Sequence, residues 1–509
     1  MLRPSLFDKH DMGASATSKD SMPTLNLTQI VNHRLCPKRV WLHQKAPHLA
    51  QTEDLLRPRL LEQLYSYLTQ TYVNPWLPSQ ELEPASRLTA TTQALHSTIS
   101  SAYVRPFLHA HGVYVEAGIL VPLKKGYQLL WPRAATRLKP RYIEEAAIAA
   151  WLATQMGLTI ESVHVVTLNK RFHHQGVGRN SHLLKPVVVD LPMQGVLPQV
   201  QGWIEACHAT LQQEVAPQQS MGSHCHRQHC PFLNHCSPAL CADDHPIRWL
   251  SRAPDLVKGL EQQGYADLKQ VPMNLLQKRH HQRMARVARS GYAELDERVA
   301  KILQALPYPR YFVDFETVSF AVPPWDGVNP IISQVPFQWS CHIQQADGEL
   351  HHLGFLAPPG EDPRRRFSET LLHAIGDEGP IFVYNASFEK GRMQEMAQRF
   401  SDLADALKAA QKRVVDLHPL ARDHYYHPAM QGSWSLKAVL PTLGKGLSYT
   451  NLTIADGEQA QARYLSWMFD PLEEAQALQI QLDLECYCQL DTLALVMMVE
   501  RFEQGLEAR

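Results

Sequence analysis

Apolar and polar positions along this chain switch between a helical and a strand period. Tyr311-Phe312-Val313-Asp314-Phe315-Glu316-Thr317 is an apolar run broken by two acids with one residue between them. Strand side chains alternate in face, so Asp314 and Glu316 point the same way, and Phe312, Val313 and Phe315 read as buried strand. Phe337 to Ile343 alternates as a second strand, Asp347-Gly348 marks a hairpin, and His351 to Leu356 is its return. Phe367 to Ile375 is helical, and Ile381 to Tyr384 reads as a buried strand. The polar turn Asn385 to Glu389 then opens a helix through Met393 and Met396. Val414 to Leu417 is a short strand, Trp434 to Leu440 opens a helix behind Gly432-Ser433, and Glu474 to Phe502 is a long helix. Three consecutive strands followed by alternating helices and strands predict an α/β sheet with helices on both faces.

The same reading divides the rest of the chain. Residues 1–24 are polar and predict a disordered leader. Residues 25–245 form an α/β region: Thr28 caps a helix carrying Cys36 near its end, and residues 53–70 have helical spacing. Strands follow at His111 to Val115, Gly118 to Leu123 and Tyr127 to Trp131, then a helix over Ile143 to Met156 and a strand at Ser162 to Leu168. Residues 246–306 read as a helical connector, and residues 307–509 as the domain built on the acidic strand. Two basic stretches stand out. Arg133, Arg137, Lys139 and Arg141 have no acid between Arg133 and Arg141, and Lys278 to Arg289 is a basic helix with apolar residues interleaved. Each is either a solvated face or a phosphate contact.

Composition narrows the class. A hydrophobic content of 45% with 19% charged residues is that of a globular protein, and the length suits two to four domains. The formal net charge of −1 carries no nucleic-acid signal, although balanced totals can hide local patches. No apolar run reaches the length of a membrane span, and the leader lacks the apolar core of a secretion signal, so the expected location is cytoplasmic.

Cysteine supplies the first candidate chemistry. Cys225, Cys230 and Cys236 are interspersed with His226, His229 and His235. In a reducing compartment such clustering points to metal. A fourth ligand must come from elsewhere, and Cys36 is the best placed, with zinc or unliganded buried thiols as the alternatives. One early cysteine followed by Pro37-Lys38-Arg39-Val40-Trp41-Leu42, with three late ones, resembles the iron–sulfur RecB-type nucleases. That resemblance covers residues 25 to about 240. It implies a PD-(D/E)XK fold whose two ends are clamped by a [4Fe-4S] cluster on Cys36, Cys225, Cys230 and Cys236, with Cys241 as a possible substitute and Zn2+ as the other metal. It does not bring catalytic residues. Gly118 stands where the family has its metal-binding Asp, Leu130-Trp131-Pro132-Arg133 replaces Glu-x-Lys, and Glu116 is the one nearby acid. The region therefore reads as a degenerate nuclease domain that binds nucleic acid or acts as scaffold.

Carboxylates supply the second. The element order of the last region fits an RNase H-like sheet, and in that frame the acids converge. Asp314 and Glu316 share a strand face, Glu389 begins the helix after the fourth strand, and Tyr487 and Asp491 are four apart on one helical face. Asp-x-Glu, Asn385-x-x-x-Glu389 and Tyr487-x-x-x-Asp491 resemble the DEDDy branch of the DnaQ-like 3′–5′ exonucleases, with Glu389 where that family has Asp. The chain also resembles a bacterial family designated only as a domain of unknown function, through "YFVDFET", "PFQWS", "YNASFEKGRM", "GSWSLKAVLP" and "YCQLDT". The DEDDy resemblance implies two Mg2+ or Mn2+ ions about 3.5–4 Å apart. It places Asp314, Glu316 and Asp491 on the ion carrying the attacking water, and Asp314 with Glu389 on the other. Tyr487 would orient the water and Asn385 would position the turn or the substrate, while Lys437, after Gly432-Ser433, is either a phosphate contact or a surface lysine. Asp416 is a weaker candidate, either a supporting acid or a helix cap. The expected partner is single-stranded or 3′-ended DNA or RNA, with no membrane. The alternative is a nucleic-acid-binding or assembly protein built from two inactive nuclease folds.

Overall fold

A computed structural model of the chain describes residues 24–505, apart from 52–53, 80–82, 98–99, 173, 175–181, 220–224, 226–229, 238–243, 251 and 445–451. The leader up to residue 23, His226, His229 and Cys241 therefore lie outside the described residues. The protein is mixed α/β, and no described helix is long and apolar enough to cross a membrane.

The N-terminal part opens with helix α1 (Leu27–Leu35) and helix α2 (Pro37–Lys45). Asn26, not Thr28, caps α1: its side chain accepts the Gln29 N–H at 2.9 Å while the Gln29 side chain returns to the Asn26 N–H at 2.8 Å. Cys36 sits at the kink between the helices, extended, ending one and starting the other. The strand expected over residues 111–115 is instead the return arm of a hairpin. His111 and Gly112 both take positive φ (51° and 69°), so the chain reverses there between Phe107–Ala110 and Val113–Glu116. Leu25–Asn26 adds to that hairpin as a third strand.

The larger N-terminal sheet runs, in spatial order, β1 (Tyr103–Val104), β2 (Ile119–Pro122), β3 (Tyr127–Pro132), β4 (Ile160–Leu168) and β5 (Leu184–Val188). Only β3 and β4 are parallel, and helix α3 (Pro140–Gln155) makes the crossover between them. The run Ala146-Ala147-Ile148-Ala149-Ala150 is buried, and its small side chains let the helix lie close on the sheet.

The C-terminal sheet has the order β8, β7, β6, β9, β10, from β6 (Arg310–Val318), β7 (Val335–Gln344), β8 (Leu350–Leu356), β9 (Ile381–Val383) and β10 (Val414–Asp416). The acidic strand β6 is central, antiparallel to β7 and parallel to β9, which is parallel to β10. Helix α4 (Arg364–Ile375) joins β8 to β9, and helix α5 (Ser387–Arg399) follows β9. The alternation along β6 decides its two faces. Val313 and Phe315 pack with Phe367 and Met393 on one side, and Phe312 packs with Leu495 and Val499 on the other. Those last two belong to α7 (Glu474–Gln504), which is preceded by α6 (Gly457–Phe469). Asp314 and Glu316 share parity with Phe312 and so face α7.

Residues 247–303 pack into this second core, together with Phe312, Phe382, Leu417 and Tyr425. Glu294–Leu295 pairs with Tyr425–Tyr426 as a two-residue strand, and the next helix of the connector begins at Arg298. In the basic helix, Arg279–Ser290, Arg279 is exposed, whereas the other three arginines have partners within the fold. Arg283 is 3% exposed and donates to Glu294 and to the Asp423 carbonyl. Arg286 also binds Glu294, and Arg289 binds the Lys269 and Val271 carbonyls. These guanidinium groups satisfy internal acceptors, a use that periodicity cannot reveal.

Candidate metal centre

Three carboxylates meet between β6 and α7. One oxygen each from Asp314, Glu316 and Asp491 falls within 4.8 Å of the other two. The register that achieves this is fixed from behind. Ser340 is the β7 partner of Asp314. Its hydroxyl and the His342 Nδ1 each lie 2.8 Å from the Thr492 Oγ1, one residue past Asp491. Gln338 Nε2 donates to the Leu484 carbonyl at 2.8 Å, one turn before Cys488. The helix is thereby pinned to the sheet on both sides of the acids.

Burial sets the electrostatics. Loss of hydration pushes Asp314 well above the usual carboxylate range, and Asp491 adds to it. Glu316 rises for the same first reason, with Asp314 and Asp491 reinforcing it. Lys437 opposes both shifts. Its Nζ donates to the Ala455 carbonyl and stands 5.6 Å from the centre of the Tyr487 ring. Tyr487 is itself 4% exposed. Gly457, the first residue of α6, faces the site: a Cβ there would come 3.5 Å from Glu316 Oε2.

Glu389, in the first turn of α5, is 2% exposed. Its Oε2 is buried without a hydrogen-bond partner among the described residues. Burial raises its pKa to about 9, with Asp314 adding to the shift. A buried, unpartnered carboxylate oxygen beside two further raised acids is costly as it stands, and a divalent cation would remove that cost. The donor set is all oxygen, which suits Mg2+ or Mn2+.

Asn385 lies in the turn that leads into α5. It takes φ +80°, its side chain is exposed, and its Oδ1 accepts from Ser387 at 3.0 Å. Asp416 organises this turn. Its two oxygens accept the Asn385 and Ala386 N–H groups at 3.0 Å each, and Oδ1 also accepts the His418 N–H at 3.0 Å. Asp416 therefore caps its own helix and fixes the start of α5, which carries Glu389. The sequence reading missed Cys488, whose Sγ lies 3.7 Å from Asp314 Oδ2 and 3.8 Å from the Asp314 carbonyl. Its position between Tyr487 and Asp491, three before Asp491 on the same face, was the available signal.

The thiols also come together. Cys36 is buried at the α1–α2 kink, and its pKa is raised by that burial, with Cys230, Cys225 and Cys236 adding to the rise. The late segment is folded on itself: Cys230 N–H donates to the Cys225 carbonyl at 3.0 Å, and Cys236 N–H to the Phe232 carbonyl at 2.9 Å. Phe232 meets the His43 ring of α2 edge-on at 4.7 Å. Among the described residues no three of these sulfurs draw within the 4.8 Å that the carboxylates achieve.

Among the described residues, the N-terminal sheet carries no comparable group of acids. A Cβ on Gly118 would stand 2.0 Å from the Leu130 carbonyl oxygen, so the backbone excludes an Asp there. Glu116 is held by Arg87 and Arg105. Glu145 is held by Arg133 and Arg141, so two of the four cations in that basic stretch meet an acid one helical turn later. Burial works against ionisation of Glu145, but the two guanidinium groups keep its pKa below the usual value.

Residues 311–435 match a family described as a domain of unknown function, DUF2779. That stretch holds Asp314, Glu316, Glu389 and Asp416 but not α7. Among curated proteins, the chain is 28% identical over 214 residues to "Uncharacterized protein MG366 homolog" of Mycoplasma pneumoniae, covering 38% of this chain and 32% of that protein. It is 26% identical over 219 residues to "Uncharacterized protein UU173" of Ureaplasma parvum, covering 39% of this chain and 31% of that protein. The chain thus spans about a third of the length of the curated relatives it matches.

Proposed function

We propose that the chain is a metal-dependent 3′–5′ exonuclease acting on DNA or RNA, with its centre at Asp314, Glu316, Glu389 and Asp491. The observation that carries this reading is the convergence of the first two and Asp491 within 4.8 Å, beside a buried Glu389 oxygen with no partner. The sheet supports it: a central acidic strand, an antiparallel neighbour on one side and parallel strands on the other match an RNase H-like order. Asp314, Glu316 and Asp491 would hold one ion, and Asp314 with Glu389 a second. Bound there, Mg2+ or Mn2+ supplies an activated water and stabilises charge on the attacked phosphate and the leaving oxygen.

The chain's own residues do the rest. Tyr487, one turn before Asp491, presents a phenol to the site as a hydrogen-bond donor to the nucleophilic water. Lys437, beside that ring, offers a cation to a phosphate oxygen. Cys488 donates its thiol proton toward Asp314 Oδ2 and so favours one carboxylate rotamer. Asp416 holds the turn that aims Glu389. The aromatic and aliphatic packing around Tyr487, Tyr464 and Phe337 excludes bulk water behind the acids.

For the thiols, a single zinc with Zn–S bonds near 2.3 Å requires sulfurs roughly 3.8 Å apart. Cys36, Cys225, Cys230 and Cys236 interact electrostatically with one another, and the set would hold a [4Fe-4S] cluster, with zinc as the alternative. Iron and acid-labile sulfide in the purified protein would support it, and stoichiometric zinc with neither would reject it.

The test of the main reading is a 5′-labelled oligonucleotide, DNA and RNA in parallel, incubated with Mg2+ or Mn2+. A ladder shortening from the 3′ end, lost in Asp314→Asn, is the expected result. Intact strands of both kinds, or cutting that survives Asp314→Asn, would remove the proposal.

A further inference from the structure

The parallel strands β3 and β4 leave their sheet at the same rim. Their exits remain paired: Arg133 N–H donates to the Val166 carbonyl at 2.9 Å, and Leu168 N–H to the Ala135 carbonyl at 2.8 Å. The crevice beyond the carboxyl ends of adjacent parallel strands is the usual ligand position in α/β sheets, because the chain diverges there. Here it is a pocket of about 520 Å³ lined by Thr136, Lys170, Arg171, His182, Leu184 and Lys185. That size falls within the range of about 300–1,000 Å³ common for ligand sites.

Among the described residues the lining includes Lys170, Arg171, His182 and Lys185 and no acid. Lys170, Arg171, His182 and Lys185 are exposed, and among the described residues none of them forms an ion pair. Four arginines elsewhere in this domain are placed differently. Arg87 and Arg105 are matched to Glu116, and Arg133 and Arg141 to Glu145. Cations gathered around a concavity repel one another, and among the described residues no acid pairs with them. The frame beneath them is ordered. Asn169 Nδ2 donates to the His182 carbonyl at 3.0 Å, Arg171 N–H to Asn169 Oδ1 at 3.1 Å, and Thr167 Oγ1 to the Lys185 carbonyl at 3.1 Å.

One lining residue also shares an apolar cluster with the end of the acidic strand. Leu184 packs on the apolar cluster that contains Val318 and Phe320. Phe320 is four residues past Glu316, so their Cα atoms are at most about 14 Å apart. Nearby, His174 Nδ1 pairs with Asp326 Oδ1 at 3.0 Å, tying this rim to the loop after β6. We propose that this pocket binds the phosphate backbone of a single-stranded nucleic acid whose end is presented to the carboxylates. The identity of the ligand rests on the nuclease reading above. Four basic side chains spread around an open concavity suit several phosphates along a chain better than one small anion.

The test is fluorescence anisotropy of the full chain with a labelled single-stranded 20-mer in EDTA, which separates binding from cleavage. The variant is Lys170→Gln/Lys185→Gln, neutral at two exposed positions, with circular dichroism confirming that it folds. Loss of two phosphate contacts lowers the slope of log affinity against log salt by about 1.4, and affinity at low salt by roughly tenfold. Unchanged slope and affinity would overturn the proposal. So would poly-glutamate displacing the 20-mer as well as unlabelled 20-mer does, which would point to an acidic protein instead. The two readings fail separately. A chain that binds through the pocket but cuts nothing removes the nuclease reading. A chain that cuts, with a variant that binds as tightly as the wild type, removes the pocket.

Discussion

Replacing Glu389 by Gln should stabilise the metal-free protein, and by an amount that grows with pH. Glu389 has an ordinary value of 4.5 in the unfolded chain and about 9 in the fold, through burial first and Asp314 second. A group whose folded pKa is raised contributes its full stability below 4.5 and loses it as pH climbs toward 9. At pH 7 the folded protein must hold this carboxyl protonated, roughly 2.5 pH units above its unfolded value. At about 1.36 kcal/mol each, that costs about 3 kcal/mol. At pH 5 the same arithmetic gives about 0.7 kcal/mol. Gln keeps the shape and never titrates, so the cost disappears with it. Urea denaturation in EDTA, for wild type and Glu389→Gln at pH 5, 6, 7 and 8, reads this directly from the midpoints at constant m. The gap should widen by about 1.4 kcal/mol per pH unit. A gap that is flat with pH, or a less stable variant at pH 7, would refute the electrostatic argument. Added Mg2+ should stabilise the wild type much more than the variant, because the ion replaces the proton.

Three further expectations follow from other parts of the molecule. Gly118→Asp should not restore a nuclease site on the N-terminal sheet. It should instead cost about 3 kcal/mol or more, because its Cβ would stand 2.0 Å from the Leu130 carbonyl, and a thermal melt together with a plasmid-nicking assay checks both parts. Asp416→Ala leaves three backbone N–H groups without their acceptor, an expected loss of about 3 kcal/mol. It should also depress nuclease activity more than Asp416→Asn, which keeps an acceptor, and equal activity of the two would contradict the positioning role. Burial, helped by His352, lowers the pKa of His342 to about 4 from 6.5. Neutral in the fold, it contributes fully above 6.5 and loses its contribution as pH falls toward 4. Between pH 7.5 and 5 this amounts to about 2 kcal/mol, and His342→Gln should abolish that part of the acid destabilisation in a pH-resolved melt.

The chain determines much of its second half by local pattern alone. The alternation of Tyr311 to Thr317 puts Asp314 and Glu316 on one face, because strand period is a property of backbone geometry and not of context. The i, i+4 spacing of Tyr487 and Asp491 does the same on a helix, and it places Cys488 on that face as well. Paired strands, the Asp347-Gly348 hairpin and the long last helix are legible for the same reason. Pairing across distance is not. Only the folded chain brings Thr492 against Ser340 and His342, and that lock decides that Asp491 reaches the strand. Charges show the limit most clearly. Arg283, Arg286 and Arg289 look like a phosphate track in sequence, yet they close on Glu294 and on backbone carbonyls. Arg133 and Arg141 close on Glu145 in the same way. Lys170, Arg171 and Lys185 are scattered in sequence, yet they line one pocket that has no acid among its described residues. A charge's role depends on which opposite charge lies within a few ångströms, and sequence spacing does not encode that distance unless both groups share an element. The carboxylate pair was therefore readable from the chain, whereas its partners and its burial were settled by tertiary packing.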